Sequence, residues 1–160
     1  ELESRMEFFD FCVYKNFVFG IDGYDGLTVI DVSNPAAPTI VGTLNNEDYQ
    51  KKIARYENYL YIPCFPDRVE IISIIDPTNT ESTGTIDNME YIEDIEIICS
   101  TAYFLDLWGA ITIMSLTTPQ SPKRMDDWSM GVSTCDNLAI EDEIAYISHR
   151  NLGIYVFFSQ

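Results

Sequence analysis

Positive charge is scarce in this 160-residue sequence: nine Lys and Arg stand against 26 Asp and Glu, a formal net charge of −17. Nucleic-acid binding needs clustered Lys and Arg on the phosphates, so no nucleic-acid partner is expected. The same charge disfavours anionic membranes, and no apolar run of about eighteen residues is available for membrane insertion. Acidity of this kind keeps a protein soluble and attracts basic partners or cations. Histidine occurs once, as His149. A Ser-His-Asp triad needs a serine and a carboxylate beside it, and the adjacent Ser148 points to the opposite face of a strand, so a structural role is expected for His149. The four cysteines, Cys12, Cys64, Cys99 and Cys135, are too few for a disulfide scaffold and form no C-x-x-C pair. That excludes the usual zinc and thioredoxin-like motifs. Buried free thiols are the expectation, with one or two bridges in a secreted protein as the alternative. No G-x-G-x-x-G, P-loop or H-E-x-x-H motif occurs, and no segment of useful length has the 3.6-residue apolar period of a helix. The opening residues, ELESRMEFFD, carry no signal-peptide pattern. They read as the start of a mature product or of a piece cut from something longer.

What is present is apolar and periodic. Apolar residues make up 46% and aromatics 13% of the chain, enough for one domain with a sizeable core. Pro35, Pro77 and Pro119 are spaced 42 residues apart. The strands before them correspond at the same offset: GLTVIDVS, RVEIISII and AITIMSLT. Further upstream NFVFGID, NYLYIPC and TAYFLDL correspond, and IAYISHR is a fourth copy. DFCVYKN, KIARYEN, DIEIICS and NLAIEDE line up before these. Each unit therefore predicts an inner strand, a middle strand, a third strand ending at the proline, and a weaker outer strand such as PTIVGTL. Proline has no N–H and cannot extend a ladder, and Asn34 before it favours a turn. Leu27, Val29, Ile30 and Val32 put apolar groups on both faces of the third strand, as in a sheet covered on both sides. A period near 42 with four strands per unit predicts a β-propeller of about four blades. It is read as one domain over 1–160 with repeats at about 8–49, 50–91, 92–133 and 134–160.

The phrase GLTVIDVSNPAAPTIVG resembles the LVIVD-repeat family. Asp10, Gly26, Leu27, Ile30, Asp31, Asn34, Pro35 and Pro38 match its pattern in the first unit. Asp94, Ala102-Tyr103, Pro119, Pro122, Ala145-Tyr146 and Gly153 match it later. The resemblance implies a propeller, usually in secreted or surface-attached proteins, and no shared catalytic activity. An extracellular or cell-surface location is expected on this basis. Ser73 and Ser115 replace Asp31 in later copies, which puts the shared turn geometry in question there.

The fourth unit is expected to lack its outer strand, and Leu2 aligns with Leu44, the tail of such a strand. Three closures follow: a four-bladed ring completed by the N-terminal stub, part of a larger propeller, or strand pairing between chains into a ring or fibre.

Chemistry is thin. DGYDG at 22–26 offers Asp22 and Asp25, short of the ligands calcium takes, and glycines that a hairpin needs anyway. Asp10, Lys52, Asp94 and Asn137 occupy equivalent positions before the inner strands, at the expected channel mouth. There the acids would hold backbone N–H groups or Lys52 rather than a cation. Tyr24 and Trp108 in hairpins, and Trp128 in a connecting segment, are the candidate interaction anchors. The expected function is a non-catalytic propeller module for protein partners, among them copies of itself, with no cofactor. An enzyme or ligand binder with its site in the central channel is the reading from another class.

Overall fold

The computed structural model describes residues 7–45, 48–142 and 144–158, which form strands, turns and irregular connections. Fifteen strands follow in order: β1 (Asp10–Tyr14), β2 (Phe17–Asp22), β3 (Gly26–Asp31), β4 (Thr39–Leu44), β5 (Ala54–Tyr56), β6 (Tyr59–Cys64), β7 (Arg68–Ser73), β8 (Glu81–Asp87), β9 (Ile92–Ile98), β10 (Thr101–Asp106), β11 (Ala110–Ser115), β12 (Lys123–Ser129), β13 (Cys135–Glu141), β14 (Ile144–His149) and β15 (Gly153–Phe158). They form antiparallel sheets in simple up-and-down order, β1-β2-β3-β4, β5-β6-β7-β8, β9-β10-β11-β12 and β13-β14-β15. This is the β-propeller architecture that the 42-residue period predicts. The fourth sheet has three strands among the described residues. The expected contribution of Leu2 lies outside them.

The repeat extends to the backbone. A register shift between β3 and β4 at Val29/Ile30 recurs at Ile71/Ile72 and Ile113/Met114. The first residue past the third strand bonds back to the opening hairpin each time: Val32 N to Asn16 O, Ile74 N to Asn58 O, and Leu116 N to Ser100 O, at 2.7, 2.9 and 2.7 Å. The proline turn also survives. Ala37, Asn79 and Ser121 donate to the carbonyls of Asn34, Asp76 and Thr118 at 2.9, 3.1 and 2.9 Å. Proline at the second turn position presets φ, so the turn forms in all three copies. In the first copy Asp31 Oδ1 also accepts Ser33 N at 2.7 Å. Ser115 accepts the equivalent N–H of Thr117 at 3.4 Å, so the substitution weakens that added bond and leaves the turn.

Three apolar clusters lie between successive sheets. The first joins Phe19, Ile21, Leu27 and Val29 to Leu60, Ile62, Ile72 and Ile74. The second joins Tyr61, Val69 and Ile71 to Ala102, Phe104, Met114 and Leu116. The third joins Leu105, Ile111 and Ile113 to Leu138, Ala145 and Ile147. Each inner sheet therefore buries both faces, which explains the apolar residues on both sides of the third strands. At about 25 cal/mol per Å² of apolar area, these interfaces dominate the folding free energy.

Aspartates link the sheets near the start of the inner strands. Asp10 Oδ2 accepts Ile53 N at 3.2 Å, and Asp94 Oδ2 accepts Leu138 N at 2.8 Å. Lys52 stands where the second sheet would carry the same aspartate, and pairs with Asp94 Oδ1 at 3.2 Å.

Candidate functional site

The connectors between sheets do not bulge outward. They thread between hairpin tips, held by backbone bonds to both sides. Gln50 N donates to Gly23 O, and Phe65 N donates to Tyr49 O, at 3.1 and 3.0 Å. One repeat later Tyr91 N donates to Pro66 O, and Leu107 N donates to Tyr91 O, at 2.8 and 3.0 Å. The hairpin tip and connector of each unit thus alternate along one face of the stack. Gln50 is buried in this arrangement and donates from Nε2 to Cys64 Sγ at 3.1 Å.

That alternation sets aromatic rings in a row. Phe9 and Tyr24 both contact Tyr49, with centroids 5.6 and 5.2 Å away. Tyr49 meets Phe65 at 5.9 Å, Phe65 meets Tyr91 at 5.5 Å, and Tyr91 meets Trp108 at 5.0 Å. Most of these pairs are edge-to-face, the geometry favoured by the ring quadrupole. Tyr24, Phe9, Trp108 and Tyr91 are exposed, Tyr24 at 69%. Lys51 Nζ sits 5.2 Å from the Phe65 centroid and also pairs with Glu93. The row runs from the first sheet to the third. Beyond it, the third connector offers Met130 and Val132, which pack near Gly109.

Of the expected anchors, Tyr24 and Trp108 are brought together by this row. Trp128 is not. It lies in β12 rather than in a connecting segment, because this charged outer strand lacks the alternation that marks the others. Its ring packs on the third inter-sheet cluster, 6.3 Å from Tyr103, and Nε1 donates to Asp126 at 3.3 Å. Sequence reading missed Phe9 and, along the row, Tyr49, Phe65 and Tyr91. Their signal is the repeat itself, since Tyr49 and Tyr91 are 42 residues apart and Phe65 follows Tyr24 at nearly the same spacing.

The expected channel-mouth residues are engaged in structure. Asp10 and Asp94 hold backbone N–H groups, and Lys52 pairs with Asp94, as above. Asn137 N and Nδ2 both donate to Ser148 Oγ, at 3.0 and 3.2 Å. His149 Nε2 lies 3.2 Å from Thr134 Oγ1, and its Nδ1 accepts Asn151 N at 3.1 Å. In DGYDG, Asp25 N closes the turn onto Asp22 O at 2.7 Å, with Gly23 and Gly26 at φ of 42° and 82°. No group of three or more His, Cys, Asp or Glu is placed to hold a metal ion among the described residues.

None of the four cysteines is disulfide-bonded. Burial pushes the Cys12 thiol up to about 12, against the opposing pull of Arg55. Burial likewise raises Cys64 to about 11 and raises Cys135. Cys99 departs from the expectation of burial: it occupies a left-handed hairpin position, φ 53°, and is exposed.

A cleft of about 230 Å³ adjoins the end of the row, between Trp108, Asn88, Glu90, Asp106, Arg124 and Asp127. Arg124 bonds Asp127 at 2.9 Å and Thr112 Oγ1 at 2.8 Å, so its charge is internally paired. Asp106 caps the Trp108 hairpin by accepting Trp108 N and Ala110 N at 2.9 and 2.8 Å. Its pKa is nevertheless raised, because desolvation outweighs those bonds.

No curated protein sequence matches the chain. Among solved structures, the chain is similar to the computationally designed Ika4 protein, with a TM-score of 0.77 and 12% identity over 100% of this chain and 96% of that one. BamB from Moraxella catarrhalis is similar at a TM-score of 0.67 and 12% identity, over 94% of this chain and 44% of BamB. A Saccharomyces cerevisiae complex of Dbp5 bound to Nup159 and Gle1 is similar at 0.58 and 11%, over 92% of this chain and 46% of the matched one. The chain thus spans less than half the length of these natural proteins. At such identities the likeness establishes the fold, a β-propeller. Residues 10–46 match the family model described as LVIVD repeat, and the first of the four units is therefore an LVIVD repeat.

Proposed function

We propose that the chain is a non-catalytic propeller module that binds a protein partner through the aromatic row. The observation that carries this reading is the run of six rings from Phe9 and Tyr24 to Trp108, each touching the next, four of them exposed and Tyr49 and Phe65 half-buried between them. Tyr and Trp supply large contact area at low entropic cost, which is why they dominate interface hot spots. The connectors hold the row on rigid backbone bonds, so little order is lost on binding. A chain of net charge −17 draws basic partners, and Lys or Arg side chains stack well on Tyr and Trp faces. The partner expected is a basic protein segment carrying apolar residues. The Dbp5–Nup159 complex, named above, supports a protein-binding role for this fold. Asp10 and Asp94 are committed to structural bonds, which supports this reading over a catalytic channel. With the LVIVD repeat goes the proposal of an extracellular or surface-attached setting, tested by protease accessibility on intact cells.

Selection of a displayed random-peptide library on the immobilised chain tests the proposal. Enriched peptides are expected to combine Arg or Lys with aliphatic residues. They should bind at least roughly tenfold more weakly to a Tyr49→Ser/Trp108→Ser variant, as expected for hot-spot truncation. Equal binding to that variant, or no enrichment, overturns the reading.

A further inference from the structure

The contact between consecutive sheets is the same interface made three times. On the trailing face, strand register pairs Phe19 with Val29, Tyr61 with Ile71, Tyr103 with Ile113, and Tyr146 with Val156. Beside them stand Leu27, Val69, Ile111 and Ile154. In the first three sheets these third-strand residues are buried: Leu27, Val69 and Ile111 at 1, 0 and 2% exposure, Val29, Ile71 and Ile113 at 0, 1 and 6%. In the fourth sheet Ile154 is 71% and Val156 46% exposed. A groove of about 190 Å³ opens there, lined by Leu138, Ala139, Tyr146, Ser148 and Ile154.

The leading face mirrors this. Ile53, just before the inner strand of the second sheet, and Leu138, on that of the fourth, are buried at 8 and 6%. Their counterpart in the first sheet, Phe11, is 62% exposed, and Val13 beside it 53%. Among the described residues no apolar cluster, hydrogen bond or ion pair joins the fourth sheet to the first. The chain therefore displays one trailing face and one leading face. Each is built largely like the faces that meet three times inside it: Tyr146, Ile154 and Val156 on one side and Phe11 and Val13 on the other are uncharged and open, although the exposed Glu141 stands on the trailing face where Tyr14 and Tyr56 stand in the first two sheets, and Phe8 already lies over Gly20 on the leading one.

We propose that a second copy of this chain covers both faces. The fourth sheet of each copy docks on the first sheet of the other, and the two chains close a ring of eight sheets. The joints are face-to-face, continuous with the internal interfaces, and need no strand exchange. A closed two-fold arrangement satisfies both open faces at once. The likeness to under half of BamB fits four sheets forming part of a larger ring. This inference is independent of the aromatic row, which lies on the loop face.

Light scattering after size exclusion, with the 160-residue chain, tests it. The expected mass is twice 18.3 kDa, held over a range of concentrations and strengthened by salt, which screens the acidic repulsion. Ile154→Asp and Phe11→Asp each place an unpaired carboxylate in both joints. Each should weaken the dimer at least roughly tenfold while leaving the circular dichroism unchanged, since both positions are exposed in the single chain. Met125→Asp, exposed on β12 away from both faces, should leave the mass unchanged. Mixing the two disruptive variants should restore a heterodimer, because one of its two joints is then wild type on both sides. Several results overturn the proposal: a monomer at every concentration, as when the faces belong to further blades of a longer polypeptide; a dimer indifferent to both substitutions, as in strand pairing; or mass that grows without limit, as in a fibre.

Discussion

Replacing Asp94 tests whether the inner-strand aspartates fasten one sheet to the next. Asp94 sits at the junction of three sheets. Oδ2 accepts the Leu138 N–H of the fourth sheet at 2.8 Å, Oδ1 accepts its own neighbour Ile95 N at 3.0 Å, and Lys52 of the second pairs with it at 3.2 Å. The side chain is 15% exposed and that of Lys52 28%. Asp94→Ala leaves the Leu138 N–H without a partner, and Leu138 is only 6% exposed. Stranding such a donor costs about 1–3 kcal/mol. Loss of the half-exposed ion pair adds about 0.2–1 kcal/mol. The expected sum is about 1–4 kcal/mol, seen in urea as a midpoint lower by roughly 0.5–2 M at a slope of about 2 kcal/mol/M. Asp94→Asn keeps an acceptor for Leu138 and loses only the charge, so it should cost about 1 kcal/mol. Far-ultraviolet circular dichroism against urea measures both. Equal losses for Ala and Asn, or a loss under about 0.5 kcal/mol for Ala, would refute the fastening role.

Tyr61→Phe removes the hydroxyl that donates to Pro119 O at 2.7 Å across the second and third sheets, and should cost about 0.5–1.5 kcal/mol in the same assay. Gly109→Ala should destabilise by about 1–3 kcal/mol, because φ is +74° and the new Cβ would lie 2.9 Å from Met130 Cε. Gly84→Ala meets nothing within 4 Å and should be near neutral. Cys12 and Cys64 have folded-state pKa values of about 12 and 11, raised by burial. Above the unfolded thiol value the unfolded chain loses protons that the folded chain keeps. Stability should therefore fall as pH rises from about 9 towards those values, and Cys12→Ala/Cys64→Ala should flatten the fall. A maleimide should label Cys99 quickly and the other three only on unfolding, since they are held as thiols in the fold.

The period, the strand order and the proline turns were legible because each is local. Apolar alternation, the proline's missing N–H and the Asx residue before it act within a few residues of chain. Trp128 was misplaced because an outer strand has one neighbour and little burial, so Lys123–Ser129 shows no alternation to read. The sheet-linking bonds of Asp10 and Asp94 were foreseen as backbone bonds, and their partners follow from the repeat. The aromatic row was only half legible. Tyr24 and Trp108 stand out as hairpin residues, but Tyr49 and Tyr91 join them only because the connectors fold inward between hairpin tips. That depends on backbone bonds between Gly23, Gln50, Tyr49 and Phe65, residues far apart in sequence. Cys99 was expected inside because free cysteines are usually buried, yet the left-handed turn position puts it outside.

Residue-resolved native-state hydrogen exchange addresses the repeat architecture most directly. The amides of Val32, Ile74 and Leu116 bond back to the opening hairpin of their own sheets at matching positions. All three should be protected, with protection recurring at the 42-residue period along the middle and third strands. Rapid exchange at any of the three, or protection without that period, would contradict a stack of like sheets.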